Sequence, residues 1–385
     1  MANMDQPQRK NVIMEALTMA ADKIRMGVIG ANIHRGWAPR SHLPAIAASP
    51  DFELTAVCTT RPESAEESAK AFGARLAFHD YREMLAHPDI DAVAVVLRVP
   101  AHHQHTMDAI NAGKHIFTEW PLGRTLAEAQ EMAELARAKN VWHLVGLQAR
   151  LNPAIMHMKA LVESGYVGDV MSCHVSVIRD GVLQRMSDRT WQRDDDLGAT
   201  TLTIPFGHTV DAFCYVVGNF SHVASVVSTQ AKQWLETDTQ KMLDVTGPDN
   251  VLVSGRLANG AVASVHIAAN PWAGSGYRME VYGREGTLVA SGGNSPQLGD
   301  VRLQGAKAGD KTLHDIDIPA EYIYVPEDMP KGEPYNVGQM YAEFGRAIRS
   351  GGACHPDFDD AVALHRLIDT VRAASDQGRE LAVPG

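Results

Sequence analysis

The chain has 385 residues, enough for two or three domains with cores of their own. Its 46 Asp and Glu against 35 Lys and Arg leave a formal net charge of −11, which argues against a nucleic-acid partner, because such surfaces need clustered Lys and Arg. No apolar run approaches the roughly 18–20 residues that span a bilayer, and Met1 to Lys10 are polar where a signal peptide is apolar, so the expectation is a cytoplasmic protein with no membrane partner.

Residues 11–22 place Met14, Leu17 and Ala21 near helical spacing, which fits an amphipathic helix, a leader or an arm on another subunit; residues 1–23 are set aside as an extension. From 24 to about 147, apolar runs at 24–29, 54–59, 92–97, 115–118 and 143–147 alternate with helix-like segments. This is the pattern of a doubly wound parallel sheet, ending at 148. From 149 to 385 the texture changes to an α+β domain. A helix at 153–164 is followed by strands at 170–178, 222–228, 250–257, 261–268, 277–282 and 287–290. Asn259-Gly260 reads as a type I′ turn, which implies a large, mostly antiparallel open sheet. The stretch 294–334 reads as surface loops, and helices at 336–350 and 359–376 close the chain. An open sheet face needs a cover, so a homodimer or homotetramer through that face is expected. Cys58, Cys173, Cys214 and Cys354 form no C-x-x-C pair, so they read as free thiols, with no disulfide frame and no metal site.

The first strand runs into Gly30-Ala31-Asn32-Ile33-His34-Arg35-Gly36-Trp37, a glycine turn that suits a diphosphate at a helix start. A G-x-G-x-x-G fingerprint needs glycine where Asn32 and Arg35 stand, and Gly36 comes one place late. Asn tolerates positive φ, so the loop fits a dinucleotide cradle and an ordinary turn equally. The second strand ends in Thr59-Thr60-Arg61 with no acidic residue for a ribose hydroxyl; two hydroxyls and a guanidinium favour a 2′-phosphate, unless Arg61 is merely solvated. Val99-Pro100-Ala101-His102-His103 follows the next strand and reads as a helix start with His103 toward a cofactor; the clustered histidines lack an acidic or cysteine partner for a metal. Glu119 and Trp120 leave the strand at 115–118 at the same edge, as site residues or as a helix-start carboxylate and a core indole. His208 precedes Asp211 by three residues, so on a helix Asp211 can orient the ring for proton transfer; a buried structural histidine is the bland alternative.

These pieces, with Ala112-Gly113-Lys114-His115, Gly146-Leu147-Gln148, Gly165-Tyr166-Val167-Gly168-Asp169-Val170 and Gly283-Arg284-Glu285-Gly286-Thr287, resemble in their order the Gfo/Idh/MocA family. The resemblance implies an NAD(P) cofactor, NADP slightly favoured, and hydride transfer with a sugar-like or cyclic polyol substrate. Family members carry a lysine in E-K-P and an aspartate and histidine in D-x-G-x-H beside the nicotinamide. Here Trp120 replaces the lysine and Ile204 the aspartate, while His208 matches. Gly36-Trp37, Glu119-Trp120 and Phe206-Gly207-His208 look most like the subgroup of the yeast galactose-regulon repressor, which implies the alternative of a non-catalytic, NAD(P)-sensing regulator. On this basis His208, Asp211 and Trp120 are the expected catalytic group. The cofactor set is Gly30, Asn32, Gly36, Trp37, Thr59, Thr60, Arg61, Val99, Pro100, His103, Glu119 and Gln148, and Arg179, Trp191 and Arg193 line the substrate side.

Overall fold

A computed structural model of the chain describes residues 23–384, so the helix expected over 11–22 lies outside the described residues. Six strands, β1 (Ile24–Ile29), β2 (Phe52–Cys58), β3 (Leu76–Phe78), β4 (Ala92–Val95), β5 (His115–Glu119) and β6 (His143–Gly146), form a parallel sheet in the order β3-β2-β1-β4-β5-β6. The helices between them are α1 (His42–Ala48), α2 (Pro62–Phe72), α3 (Tyr81–Ala86), α4 (His102–Asn111) and α5 (Leu126–Lys139). Their ends follow local chemistry. Pro62 opens α2 and Gly73 closes it at φ +73, while the Thr125 side chain caps α5 by accepting from the Glu128 amide. All four residues of β4, Ala-Val-Ala-Val, are buried, as a strand covered on both faces requires. The three-residue β3 and the short α3 escape sequence reading because neither is long enough to show a period.

The second sheet has nine strands in the order β17-β16-β15-β14-β7-β13-β12-β9-β18 and is antiparallel except for the β7–β13 pair. Its members are β7 (Val170–Arg179), β9 (Phe220–Ser228), β12 (Asn250–Leu257), β13 (Val262–Ala269), β14 (Gly276–Gly283), β15 (Gly286–Gly292), β16 (Arg302–Lys307), β17 (His314–Asp315) and β18 (Leu381–Ala382). A separate small sheet joins β8 (Gln184–Arg185), β10 (Gln233–Glu236) and β11 (Lys241–Asp244). The stretch expected as loops therefore contains β16 and β17. The β12–β13 connection is also tighter in one respect and longer in another than a type I′ turn. Ala258 to Gly260 form a three-residue loop closed by Leu257 N–H to Ala261 O at 2.9 Å, and only Gly260 has positive φ.

Four further helices, α6 (Pro153–Glu163), α7 (Pro205–Val217), α8 (Glu333–Ser350) and α9 (Phe358–Gln377), complete the chain. Val337, Met340, Tyr341 and Phe344 form one apolar stripe of α8 and share a core with Met26, Val28, Phe52 and Phe117 of the parallel sheet. Helix α8 thus covers a face of the first sheet. One face of the nine-stranded sheet packs Cys173, Val175, Val177, Val253 and Val265 inward. The other leaves Val226 58% and Leu252 46% exposed, and these two are cross-strand partners. No described helix is long and apolar enough to cross a membrane, and the four cysteines are unpaired.

Candidate active site

The parallel order reverses direction at β1, and the crevice at its carboxyl end is where such sheets take ligands. Gly30 sits there at φ +92, and a Cβ would collide with the Val96 carbonyl, so only glycine lets the turn approach β4. Its N–H and that of Ala31 bond back to Cys58 O at 2.9 and 3.3 Å. Asn32 does not take positive φ as expected. Its side chain instead accepts the His34 amide at 3.0 Å, an Asx turn that needs no left-handed residue. The loop runs past Gly36, at φ +93, and α1 begins only at His42, so the turn does not open directly into a helix. Gly30→Ala is expected to raise the NADH dissociation constant at least about tenfold, read by fluorescence titration, with the strain showing as a lower melting temperature.

Glu119 is held from three sides. His42 Nε2 donates to Oε1 at 2.8 Å, and Gln148 Nε2 donates at 3.0 and 3.2 Å. A Cβ on Gly146 would stand 2.7 Å from Oε1, so the glycine makes room for the carboxylate. His42 Nδ1 in turn pairs with the Tyr341 hydroxyl at 2.8 Å, which ties the sheet edge to α8. His42 and Tyr341 were missed in the sequence; Ser41-His42 beside the loop carried a faint signal and Tyr341 none, because it comes from a distant helix.

Trp120, expected in the catalytic group, sits instead as the core indole of the alternative and acts as a brace. It is 4% exposed, and its single N–H is spent on Thr203 O at 2.8 Å. It also packs so closely on Gly207 that a Cβ there would lie 2.6 Å from Nε1, and His365 of α9 stands 4.7 Å from it, centroid to centroid. Trp120 thereby fixes the first turn of α7, which carries His208. Burial pushes the His208 ring down to about 4, with Glu119 the charge that pulls it back up, and Nδ1 has no hydrogen-bond partner among the described residues. The imidazole is therefore neutral at ordinary pH, and its buried Nδ1 is left for a hydrogen bond that the described residues do not supply.

Asp211 does not orient that ring. Both its oxygens take Arg150, from Nε at 2.8 Å and Nη2 at 2.6 Å, and Arg150 Nη1 also reaches Asp360 at 2.9 Å. Asp211 shares a helix face with His208, but its carboxylate is taken by Arg150, from the short 3-10 turn after β6; Arg150 was not anticipated. His103 is likewise drawn off the cofactor side, its Nε2 bonding Glu131 at 2.8 Å. The neighbouring His102 bridges Leu97 O at 3.0 Å and Pro121 O at 2.7 Å, clasping the exits of β4 and β5. Val99 is buried beside the exposed Pro100 in a short 3-10 turn. Thr59 spends its hydroxyl on Arg61 O at 3.0 Å and Ser64 at 2.6 Å, which leaves Thr60 and Arg61 exposed at the end of β2.

On the far side of the crevice, Arg98 donates to Asp188 O at 3.1 Å and lies 5.4 Å over the Trp191 ring. This brings Trp191 to the sheet edge. Arg193 anchors its own segment, its carbonyl accepting the Thr246 and Gly247 amides at 2.9 Å each, while its buried Nε has no partner among the described residues.

No cofactor accompanies the chain, but the residues fit a dinucleotide. The glycine turn is shaped by a close backbone approach, and two buried polar atoms of the expected cofactor set, Trp37 Nε1 and Gln148 Oε1, have no partner among the described residues. An oxidoreductase family with an NAD-binding Rossmann fold matches residues 24–147, and the family of the Gal80p C-terminal domain matches residues 153–292. The chain belongs to the Gfo/Idh/MocA oxidoreductases. Among proteins similar to it, the dehydrogenase aclE of Aspergillus oryzae is 29% identical over 373 residues, 93% of this chain and 97% of that one. A dTDP-3,4-didehydro-2,6-dideoxy-alpha-D-glucose 3-reductase of Streptomyces violaceoruber is 30% identical over 283 residues, 72% of this chain and 75% of its own. A solved structure of levoglucosan dehydrogenase in complex with NADH and L-sorbose matches with a TM-score of 0.83 at 26% identity, covering 94% of this chain and 99% of that one. Membership makes this Gfo/Idh/MocA chain a member of an NAD-binding oxidoreductase family, and the nine-stranded sheet agrees with that fold.

Proposed function

We propose that the protein is an NAD(P)-dependent dehydrogenase or reductase of a sugar-like or polyol substrate, with His208 moving the hydroxyl proton. The observation that carries this is the buried, neutral His208 with an open nitrogen, set by Trp120 at the edge where the parallel sheet takes its dinucleotide. The sugar-bound relative supports the substrate class. The nicotinamide, when bound, exchanges a hydride with the carbinol or carbonyl carbon. His208 accepts the hydroxyl proton as the carbonyl forms and returns it in the reverse direction. Glu119, Gln148 and Trp37 offer polar atoms to the cofactor, and Thr60 with Arg61 suits a 2′-phosphate, which favours NADP. The division at 148, between dinucleotide-binding and substrate parts, and a cytoplasmic location belong to the same reading.

A specific observation favours a second reading: the indole at the family lysine's place has no donor left, and Ile204 offers none. A regulator that binds NAD(P) without turnover needs neither, and the match to the Gal80p C-terminal domain agrees. A panel of sugars, polyols and ketones followed by NAD(P)H absorbance separates the two. Turnover supports the enzyme, whereas tight binding with none across the panel supports the regulator. The exposed Val226–Leu252 face pairs two copies in this reading, so Leu252→Asp is expected to turn a dimer or tetramer into a monomer by light scattering. A wild-type monomer contradicts it.

A further inference from the structure

The crevice wall formed by the ends of β5 and β6 carries a chain of buried hydrogen bonds whose direction follows from the chemistry of its members. Glu119 and Gly146 are register partners at those strand ends, and Gln148 opens the short 3-10 turn after β6. A carboxylate only accepts, so the two bonds from Gln148, at 3.0 and 3.2 Å, come from its amide nitrogen. The same carboxylate takes the Nε2 proton of His42 at 2.8 Å. With that proton on Nε2, the neutral ring accepts at Nδ1. The Tyr341 hydroxyl, 2.8 Å away and with no other bond among the described residues, donates to it. Every group from Tyr341 to the Gln148 nitrogen is thereby satisfied in one direction.

One atom is left over. Gln148 is 1% exposed, and its Oε1 has no partner among the described residues. A buried acceptor left unpaired is costly, and the hold of Glu119 on the nitrogen keeps the amide from flipping to present a donor instead. Whatever completes this atom must donate. Trp120, next in the chain after Glu119, touches the first turn of α7, so this wall stands beside the segment that carries His208. Of the groups a dinucleotide brings to its nicotinamide end, ribose hydroxyls donate or accept, whereas the carboxamide nitrogen only donates. We propose that Gln148 Oε1 receives the carboxamide N–H of the nicotinamide, and that Glu119, His42 and Tyr341 are positioning residues that hold this acceptor in its sense. Holding the carboxamide fixes the rotation of the nicotinamide ring, and with it the face offered to a substrate. This deepens and rests on the dinucleotide reading, which the enzyme and the regulator share.

The test is calorimetric titration of the full chain with NADH and with its reduced 3-acetylpyridine analogue, in which a methyl group replaces the amide nitrogen. The wild-type chain should bind NADH about tenfold or more tightly, the usual scale for a buried acceptor left unpaired. Gln148→Met keeps the side chain's length without its acceptor, and should bring the ratio close to one by weakening NADH alone. Glu119→Gln sets a second amide against Gln148 and frees it to turn, so the ratio should narrow there too. Tyr341→Phe, which leaves His42 Nδ1 without its donor, should narrow it in the same sense. Damage to the fold lowers both affinities together and leaves their ratio alone. Tight but equal binding of the two dinucleotides by the wild type, or a ratio that survives Gln148→Met, overturns the assignment while the dinucleotide reading stands. A ratio that survives both Glu119→Gln and Tyr341→Phe overturns the positioning chain. Failure to bind either dinucleotide overturns the cofactor reading itself.

Discussion

His208→Ala is expected to lower kcat by about 10²- to 10⁴-fold, the usual contribution of a positioned acid–base group, while NADH affinity stays unchanged. The ring is 5% exposed and burial holds it near 4, far below an ordinary histidine. The sign follows: the imidazole is neutral, and able to accept a proton, at every pH above about 4. Oxidation rates should therefore show no inflection from His208 near 6.5, where a solvated histidine titrates. Glu119 is the charge that raises the His208 pKa, so Glu119→Gln should move the acid limb further down in pH. A limb near 6.5 that disappears in His208→Ala contradicts the buried, neutral ring, and full activity in that variant removes His208 from proton transfer altogether.

The sheet and its edge were legible because strands and turns write themselves locally. Apolar runs and the glycine at the end of β1 each act over a few residues. The family resemblance rested on the same short phrases. What the sequence hid is the choice of partner. Asp211 lies on the same helix face as His208, yet its carboxylate is taken by Arg150, which precedes it by 61 positions. Trp120 stands at a family catalytic position, and its role was decided by a carbonyl 83 residues away. Tyr341 reaches the same edge from 299 residues beyond His42. No periodicity reports such pairings, since a titratable side chain's partner is set by the packing of distant elements. The galactose-repressor likeness and the oxidoreductase likeness also share these residues, and only turnover divides them.

Arg150→Met is expected to destabilise the fold by about 3–5 kcal/mol, the usual consequence of leaving a buried charge without its partner, measured by urea unfolding. The Asp211 side chain is 1% exposed and that of Arg150 17%, so solvent screens neither group well. Asp211→Asn should cost less, because Arg150 keeps Asp360 at 2.9 Å, which His355 and the cap of α9 hold in place. The pH dependence gives the sharper check. Burial pushes the Asp211 carboxyl above its ordinary value, with Arg150 opposing. Without Arg150 that opposition is gone, and the folded state takes up a proton more readily than the unfolded chain. A group whose folded pKa is raised contributes stability at low pH and loses it as pH rises through the folded value. The deficit of Arg150→Met should therefore shrink as pH falls from neutrality toward that value, while a deficit independent of pH would mean that Asp211 does not carry the buried charge. If Asp211 oriented His208 instead, Asp211→Asn would shift the acid limb of the rate profile and leave unfolding untouched. With both carboxylate oxygens on Arg150, the opposite is expected: a stability change and an unmoved limb.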